Sequence, residues 1–467
     1  MACHDAAMQL APFTTDGLGD TSYLLGGEGE AVLVDPQRDA WRFVDAATRQ
    51  GWRITHVLET HVHNDYLSGA LETRAATGAE IVAPARGGYD FPLRGADEGD
   101  SLEVGGMRLT ALATPGHTPE HLAWLVGRAD AASDEPPIAV FSGGSLLVGS
   151  VGRTDLLGPE LTAALAADQR RSLRRLAGLP DTVAILPTHG SGSFCSAGPA
   201  GGRATTTVGA ERLMNPVFAA SALSEDSFRE RLLGDLGLYP AYYGQMAAVN
   251  RAGPPVRGSV ARPPALGPEA FAAAVERGAA VVDGRDRTEF AADHLPGSLN
   301  VELNDSFASY VGWLVPFDAT LALVLPEPAA DALVEAATQL FRIGYERVVG
   351  WLEGGVEAWA ASDGEVESYP VISIRDAAAT DDATVLDVRQ PSEWRGGVIP
   401  GSRQIFVADL ADRLAEVPRD RPVTVLCQSG HRASIAASIL DRAGFDVRLV
   451  ARGGADDWPR PLERPTG

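Results

Sequence analysis

The sequence predicts an α/β protein built from several domains, and three observations predict it. Short apolar runs alternate with helical stretches, polar histidine-bearing loops follow the strands of the first half, and three landmarks of the second half occur twice in the same order. At 467 residues the chain exceeds one ordinary core and suggests about three domains of ~150 residues each.

Composition narrows the class. A hydrophobic share of 45% and a charged share of 22% describe a soluble globular chain. No stretch approaches the ~20 apolar residues of a membrane span, and Met1-Ala2-Cys3-His4-Asp5 lacks the basic and apolar regions of a signal peptide, so a cytoplasmic protein is expected. A net charge of −23 argues against nucleic acid or an anionic membrane as partner, because both demand basic patches. Cys3, Cys195 and Cys427 are far apart and form no CxxC pair, which points to individual thiols and not to a disulfide framework.

In the first half, residues 21–25, 31–34 and 54–58 read as strands, 40–50 as a helix and 71–77 as a short helix. Strands return at 107–112, 122–126, 138–141 and 183–186, with a helix at 159–176. Asp35 follows the second strand, His61, His63 and Asp65 the third, His117 the run 107–114, Gly143 and Gly144 the run 138–141, and His189 the run 183–186. One such histidine reads as a core or surface residue. Four of them and an aspartate, each just past a strand, read as a metal site, since imidazole and carboxylate are the ordinary ligands of zinc and iron.

His61-Val-His63-Asn-Asp65, Thr114-Pro-Gly-His117-Thr, Phe141-Ser-Gly-Gly144-Ser and Leu186-Pro-Thr-His189 resemble the ordered motifs of the metallo-β-lactamase fold. That resemblance implies an αββα sandwich with metals at one sheet edge. Gly152-Arg153-Thr154-Asp155 and Glu211-Arg-Leu-Met-Asn-Pro216 resemble the persulfide dioxygenase branch, which is also related to glyoxalase II. Two departures stand out: Tyr66 replaces the last histidine of the family's HxHxDH motif, and Gly144 takes the place of the aspartate that, with the counterparts of His61 and His117, holds Fe(II) in the persulfide dioxygenases.

One metal ion, Fe(II) or Zn(II), is expected. His61, His63 and His117 would supply three nitrogens, and Asp65 and His189 would orient a water or form a weaker second site. A vacant scaffold is the other reading. Cys195, in the Gly- and Ser-rich loop after His189, is either an incidental thiol or one at the mouth of the metal pocket that relays a persulfide. Arg153 is expected at the substrate.

Residues 1–250 thus form the first domain. Proline and glycine without apolar periodicity mark 251–267 as a linker, and domains follow at 268–365 and 366–467. Val282-Asp283-Gly-Arg285, Leu295-Pro-Gly-Ser298 and Gly354-Gly355-Val-Glu-Ala-Trp359 recur as Leu386-Asp387-Val-Arg389, Ile399-Pro-Gly-Ser402 and Gly453-Gly454-Ala-Asp-Asp-Trp458. A repeat of about a hundred residues with its landmarks in order means two copies of one small parallel α/β unit, not a solenoid.

These landmarks resemble those of rhodanese domains. In the second copy an apolar run at 423–426 ends in Cys427-Gln428-Ser429-Gly430-His431-Arg432 and then a helix. A loop closing on a helix N-terminus turns backbone N–H groups inward, and these stabilise a thiolate. Cys427 is read as the nucleophile, Arg432 as a fixed charge beside the anion, and Gln428, Ser429, Gly430 and His431 as the substrate cradle. Phosphatase chemistry also uses Cys-to-Arg loops, but four residues between Cys and Arg resemble the sulfurtransferases. The first copy has Pro326-Glu-Pro-Ala329 at that place and reads as an inactive, structural or docking domain.

The whole resembles the persulfide dioxygenase–rhodanese fusions, which implies persulfide oxidation in one half and sulfane-sulfur transfer in the other. A persulfide or thiosulfate donor and a thiol acceptor are the expected partners, and assembly into a homo-oligomer is compatible with this reading. The alternatives are a zinc-dependent thioester hydrolase fused to a rhodanese, or a sulfurtransferase with a non-catalytic first half.

Overall fold

The structure, a computed structural model, describes residues 8–132, 134–197, 205–234 and 236–464; Cys3 lies outside them. The chain divides into two compact units, Met1–Val260 with Phe341–Gly344, and Ala261–Leu340 with Tyr345–Gly467.

The first unit holds two six-stranded sheets. One runs in chain order through Gln9–Thr15, Asp20–Gly27, Glu30–Val34, Arg53–Leu58, Glu80–Pro84 and Arg94–Ala96. The other runs in reverse chain order through Thr206–Thr207, Ala184–Pro187, Ala139–Gly143, Leu122–Arg128, Met107–Ala113 and Ser101–Val104. Period-2 alternation sets what each strand buries. Val32 and Val34 face Leu109, Trp124 and Phe141 across the sandwich, while Ala31 and Leu33 pack on Phe43 and Ala47 of the helix Trp41–Gln50. A strand covered on both faces reads as an unbroken apolar run, which is why 31–34 is so plain in the sequence. On the outer face of the second sheet, Val140 and Ile185 meet Ala166, Leu173 and Leu176 of the helix Pro159–Leu176. The unit is therefore the expected αββα sandwich. The strand ends carrying the motifs share one edge, because Arg53–Leu58 pairs in parallel with Glu30–Val34 and Ala139–Gly143 with Ala184–Pro187.

The helix Tyr243–Ala252 runs from the end of the predicted first domain into the start of the predicted linker. Its Asn250 amide donates to the carbonyls of His63 at 2.9 Å and Tyr66 at 2.8 Å and accepts from Ser68 N–H at 2.9 Å. It clamps the histidine loop.

In the second unit both copies are parallel sheets. The strands Val348–Leu352, Leu321–Val324, Ala280–Asp283 and Leu299–Asn300 of the first copy have the same order as Val447–Leu449, Val423–Leu426, Thr384–Asp387 and Arg403–Gln404 of the second. The first copy adds the edge strand Ala265–Leu266. No helix among the described residues is long and apolar enough to cross a membrane.

Candidate active sites

The histidine pocket is assembled from the loops after four strands. Asp35, with φ +47, is its hub. It accepts from Thr60 N–H and Oγ1, both at 2.7 Å, and from Thr188 Oγ1. Burial pushes this carboxyl up, but the charge of His63 and these hydrogen bonds outweigh it and hold Asp35 below its usual range.

With Thr60 Oγ1 donating to Asp35, His61 Nδ1–H donates to Thr60 Oγ1 at 2.8 Å. His117 Nδ1–H donates to the Arg153 carbonyl at 2.8 Å, and His189 Nδ1–H to Asp20 at 2.8 Å and Asp65 at 3.1 Å. Each of these rings has its Nδ1 anchored, which leaves Nε2 as the inward atom. His61 Nε2 and His189 Nε2 are 3.3 Å apart, and His117 Nε2 is buried without a partner. Donor atoms of His61, His117 and His189 lie within 4.8 Å of one another, as do those of His63, Asp65 and His189.

The charges are divided. Burial, reinforced by the neighbouring imidazoles, holds His61 well below its ordinary value. His117 is pushed down to about 3 by burial and then by the charge of His189. Burial also lowers His189, but Asp65 and Asp20 overcome it and raise it to about 10. Asp20 is pushed up to about 8 by burial and by Asp65.

Three expectations need correction. The trio whose donors converge with His61 and His117 is completed by His189, not His63. His63 Nε2 is engaged by Glu59 at 3.0 Å and Tyr66 Oη at 3.1 Å, and the phenol of Tyr66 stacks on the ring at 4.4 Å. Arg153 is not free for substrate: it is 2% exposed, forks onto Asp155 at 2.6 and 2.7 Å, donates to the carbonyls of Phe194 and Gly237 and lies over Tyr239. Cys195 is not at a pocket mouth. It is fully buried, its thiol donates to Asp65 at 3.4 Å, and burial followed by Asp65 and Asp20 pushes it well above the ordinary thiol value, so it is a neutral donor.

Arg432 is the expected charge near the thiol, with Cys427 among the groups whose charge acts on it, and it has a carboxylate partner that was not expected. Both of its Nη atoms donate to Glu393, a partner 39 positions away that joins the helix Pro391–Trp394 to the Cys427 loop.

Gly144 gives the metal pocket its character. Its N–H donates to His121 Nε2 at 2.9 Å, and His121 Nδ1 is held by Thr114 Oγ1 at 2.8 Å. A Cβ on Gly144 would stand 2.3 Å from His117 Cδ2, so the ring of His117 occupies the direction in which an aspartate would start. His121 and Asp20 belong to the site and were not anticipated; His121, four residues beyond His117 in the same loop, was the readable signal.

The second centre is simpler. Val423–Leu426 delivers Cys427, fully buried, to the start of the helix His431–Arg442. Gly430, with φ +95, turns its N–H onto Cys427 Sγ at 3.1 Å. That φ is where glycine is favoured. Gln428 donates to Asp456 at 2.5 Å, Ser429 is exposed, and His431 is half-buried. The geometry is an amide cradle for an anion on sulfur.

Comparison with known proteins agrees with both units. Residues 15–189 match the Metallo-beta-lactamase superfamily, and residues 267–362 and 373–460 each match the Rhodanese-like domain. A probable metallo-hydrolase of Burkholderia pseudomallei is 30% identical over 243 residues, covering 44% of this chain and 79% of that protein. The hydroxyacylglutathione hydrolase of Methylobacterium nodulans is 34% identical over 169 residues, 34% of this chain, and the match spans 60% of that relative's own length. A solved metallo-beta-lactamase from Staphylococcus aureus superposes with a TM-score of 0.65 at 28% identity, over 74% of this chain and 99% of that one. The fold and histidine pocket thus define a metallo-hydrolase-type sandwich joined to two rhodanese-like domains. The chain belongs to the metallo-beta-lactamase superfamily.

Proposed function

We propose that this chain is a sulfur-handling enzyme in which Cys427 carries sulfane sulfur between a persulfide or thiosulfate donor and a low-molecular-weight thiol. The observation that supports this most directly is the Gly430 N–H on Cys427 Sγ at 3.1 Å at a helix N-terminus, where a thiolate and its persulfide gain the same stabilisation. With thiosulfate, the Cys427 thiolate attacks the outer sulfur, the donor S–S bond breaks and sulfite leaves with the electron pair. An acceptor thiolate then attacks the terminal sulfur of the Cys427 persulfide, and Cys427 departs as thiolate. No external oxidant or reductant enters.

The first unit acts, in this reading, on a persulfide or thioester of the same thiol pool. Its residues fit a metal: three imidazoles with Nδ1 anchored present Nε2 to one point, and the buried His117 Nε2, His63 Nδ1 and Asp65 Oδ1 have no hydrogen-bond partner. Without a carboxylate at Gly144, the set resembles the three-histidine zinc sites more than the two-histidine, one-carboxylate iron set, which favours the hydrolase reading over the dioxygenase one. Zinc held by His61, His117 and His189 would supply Lewis acidity toward a carbonyl. Asp20 and Asp65 orient His189, and Thr60 orients His61.

Elemental analysis of purified protein, with oxygen uptake on persulfide and thioester hydrolysis measured in parallel, tests this half. Stoichiometric zinc with thioesterase activity and no oxygen uptake supports the hydrolase reading. Iron with oxygen uptake restores the dioxygenase. A His117→Ala chain that keeps full metal content overturns the assigned ligands.

A further inference from the structure

A loop that turns its N–H groups toward an anion must turn carbonyls outward, and a carbonyl turned out against protein needs a donor. At the Cys427 loop that donor comes from the copy that has no cysteine. Arg287 Nη1 donates to the Ser429 carbonyl at 2.6 Å and to the Ala451 carbonyl at 3.2 Å. The same side chain is fixed from behind by Glu302, which accepts from Arg287 Nε at 2.8 Å, from its backbone N–H at 3.0 Å, and from Nη2. A Cβ at Gly430 would fall 2.4 Å from Arg287 Nη1 and 1.9 Å from the Ala451 oxygen, so the space between clamp and loop admits only glycine.

The contact continues along the helix His431–Arg442. The ring of Tyr310 meets His431 edge to face at 5.0 Å, Ser434 donates to Asn300, Asn300 N–H donates to Ser438 Oγ at 3.1 Å, and His294 Nε2 meets Asp441 at 3.0 Å. The first copy is thus seated on the loop and helix that hold the thiol, and Arg287 is the member that reaches the loop itself.

We propose that the cysteine-less rhodanese copy is a working part of the Cys427 centre, with the Arg287–Glu302 pair as the positioning device that holds the Ser429–Gly430 peptide plane so that its Gly430 N–H stays aimed at sulfur. This rests on Cys427 being the sulfur carrier. Arg287 reaches the loop through backbone carbonyls and acts by holding a peptide plane. Because it grips with a planar fork braced by a carboxylate, a lysine cannot reproduce it.

The test uses the full chain. For Arg287→Ala, Arg287→Lys and Glu302→Gln, kcat and KM with thiosulfate are measured beside the iodoacetamide alkylation rate of the Cys427 peptide and the thermal midpoint. Arg287→Ala is expected to lower kcat by on the order of 10- to 100-fold, the scale of a roughly 1 Å misplacement, with KM near the wild-type value and slower alkylation. Arg287→Lys should recover part of the loss, and Glu302→Gln, which keeps the arginine but releases its brace, should fall between. Unchanged kcat and alkylation in Arg287→Ala overturn the proposal, as does a loss shared equally by kcat and the folded fraction. If the wild-type chain transfers no sulfur but alkylation still slows in the variants, the carrier reading falls and the clamp stands.

Discussion

The two rhodanese copies share a scaffold and differ in one loop. In the first, Asp283 receives Arg285 through its backbone N–H at 2.9 Å, Nε at 3.1 Å and Nη2 at 2.8 Å. In the second, Asp387 receives Arg389 in the same way at 3.1, 3.0 and 2.7 Å. Both arginines continue to a backbone carbonyl just downstream, that of Asp293 or Gly397. The motif that makes the repeat visible is therefore architectural: it ties the end of a central strand to the following loop. Chemistry enters only after the next strand, where one copy has Pro326-Glu-Pro-Ala329 and the other Cys427-Gln-Ser-Gly-His-Arg432. A repeat can be complete in its scaffold and empty of chemistry, and the emptied copy can still hold its partner's loop.

The largest effect expected from breaking this contrast is at the thiol. Cys427→Ser should remove sulfur transfer by several orders of magnitude, on the scale seen when a nucleophile is deleted, in a thiosulfate assay, while the fold survives. Installing the thiol alone in the other copy, as Pro326→Cys, should give no transfer in a Cys427→Ser background, because neither the glycine nor the amide cradle follows it. Transfer by that double variant would show that the loop adds nothing.

Next comes the shared scaffold. Asp387→Ala strands a buried arginine and should cost about 3–5 kcal/mol in urea denaturation; Asp283→Ala should cost less, because Arg285 keeps the carboxylate of Asp293 at 3.0 Å. A large loss in one copy and none in the other would mean that the motif is not equivalent in the two.

The smallest effect is a pH slope that the second copy has and the first lacks at the corresponding position. Burial pushes His431 down to about 4; Glu302 opposes the shift, and Arg287 and Arg432 add to it. As pH falls below the ordinary value of 6.5, the unfolded chain binds a proton that the folded site refuses until about 4, so this residue lowers stability across that window. His431→Asn should flatten the fall in denaturation midpoint between those limits, and an unchanged slope would contradict the assignment.

Much of the fold was legible because its central strands are covered on both faces. Residues 31–34, 54–58 and 122–126 fall inside observed strands, and the helix predicted at 159–176 is the observed Pro159–Leu176. The edge strand Gln9–Thr15 escaped because it is largely exposed and contains Pro12, so it has no apolar run. The helices between Val208 and Ala252 also escaped.

For the sites, residue type was legible and partnership was not. His61, His117 and His189 stand out by position after strands, and Cys427 by its loop. That Glu393 pairs with Arg432 and that Arg287 reaches Ser429 depend on side chains brought together from distant positions, and that Tyr66 and Glu59 tie off His63 depends on how its loop folds. Arg153 was the more avoidable miss, since Arg153-Thr-Asp155 is a local ion pair of the same kind as the Asp-x-Arg pairs that mark the repeats.

The most direct measurement of the central claim is peptide mapping by mass spectrometry after the intact chain is incubated with thiosulfate. One added sulfur atom on the Cys427 peptide, released by cyanide or a thiol, is the predicted result. Sulfur absent from Cys427, or found on Cys195 instead, would contradict it.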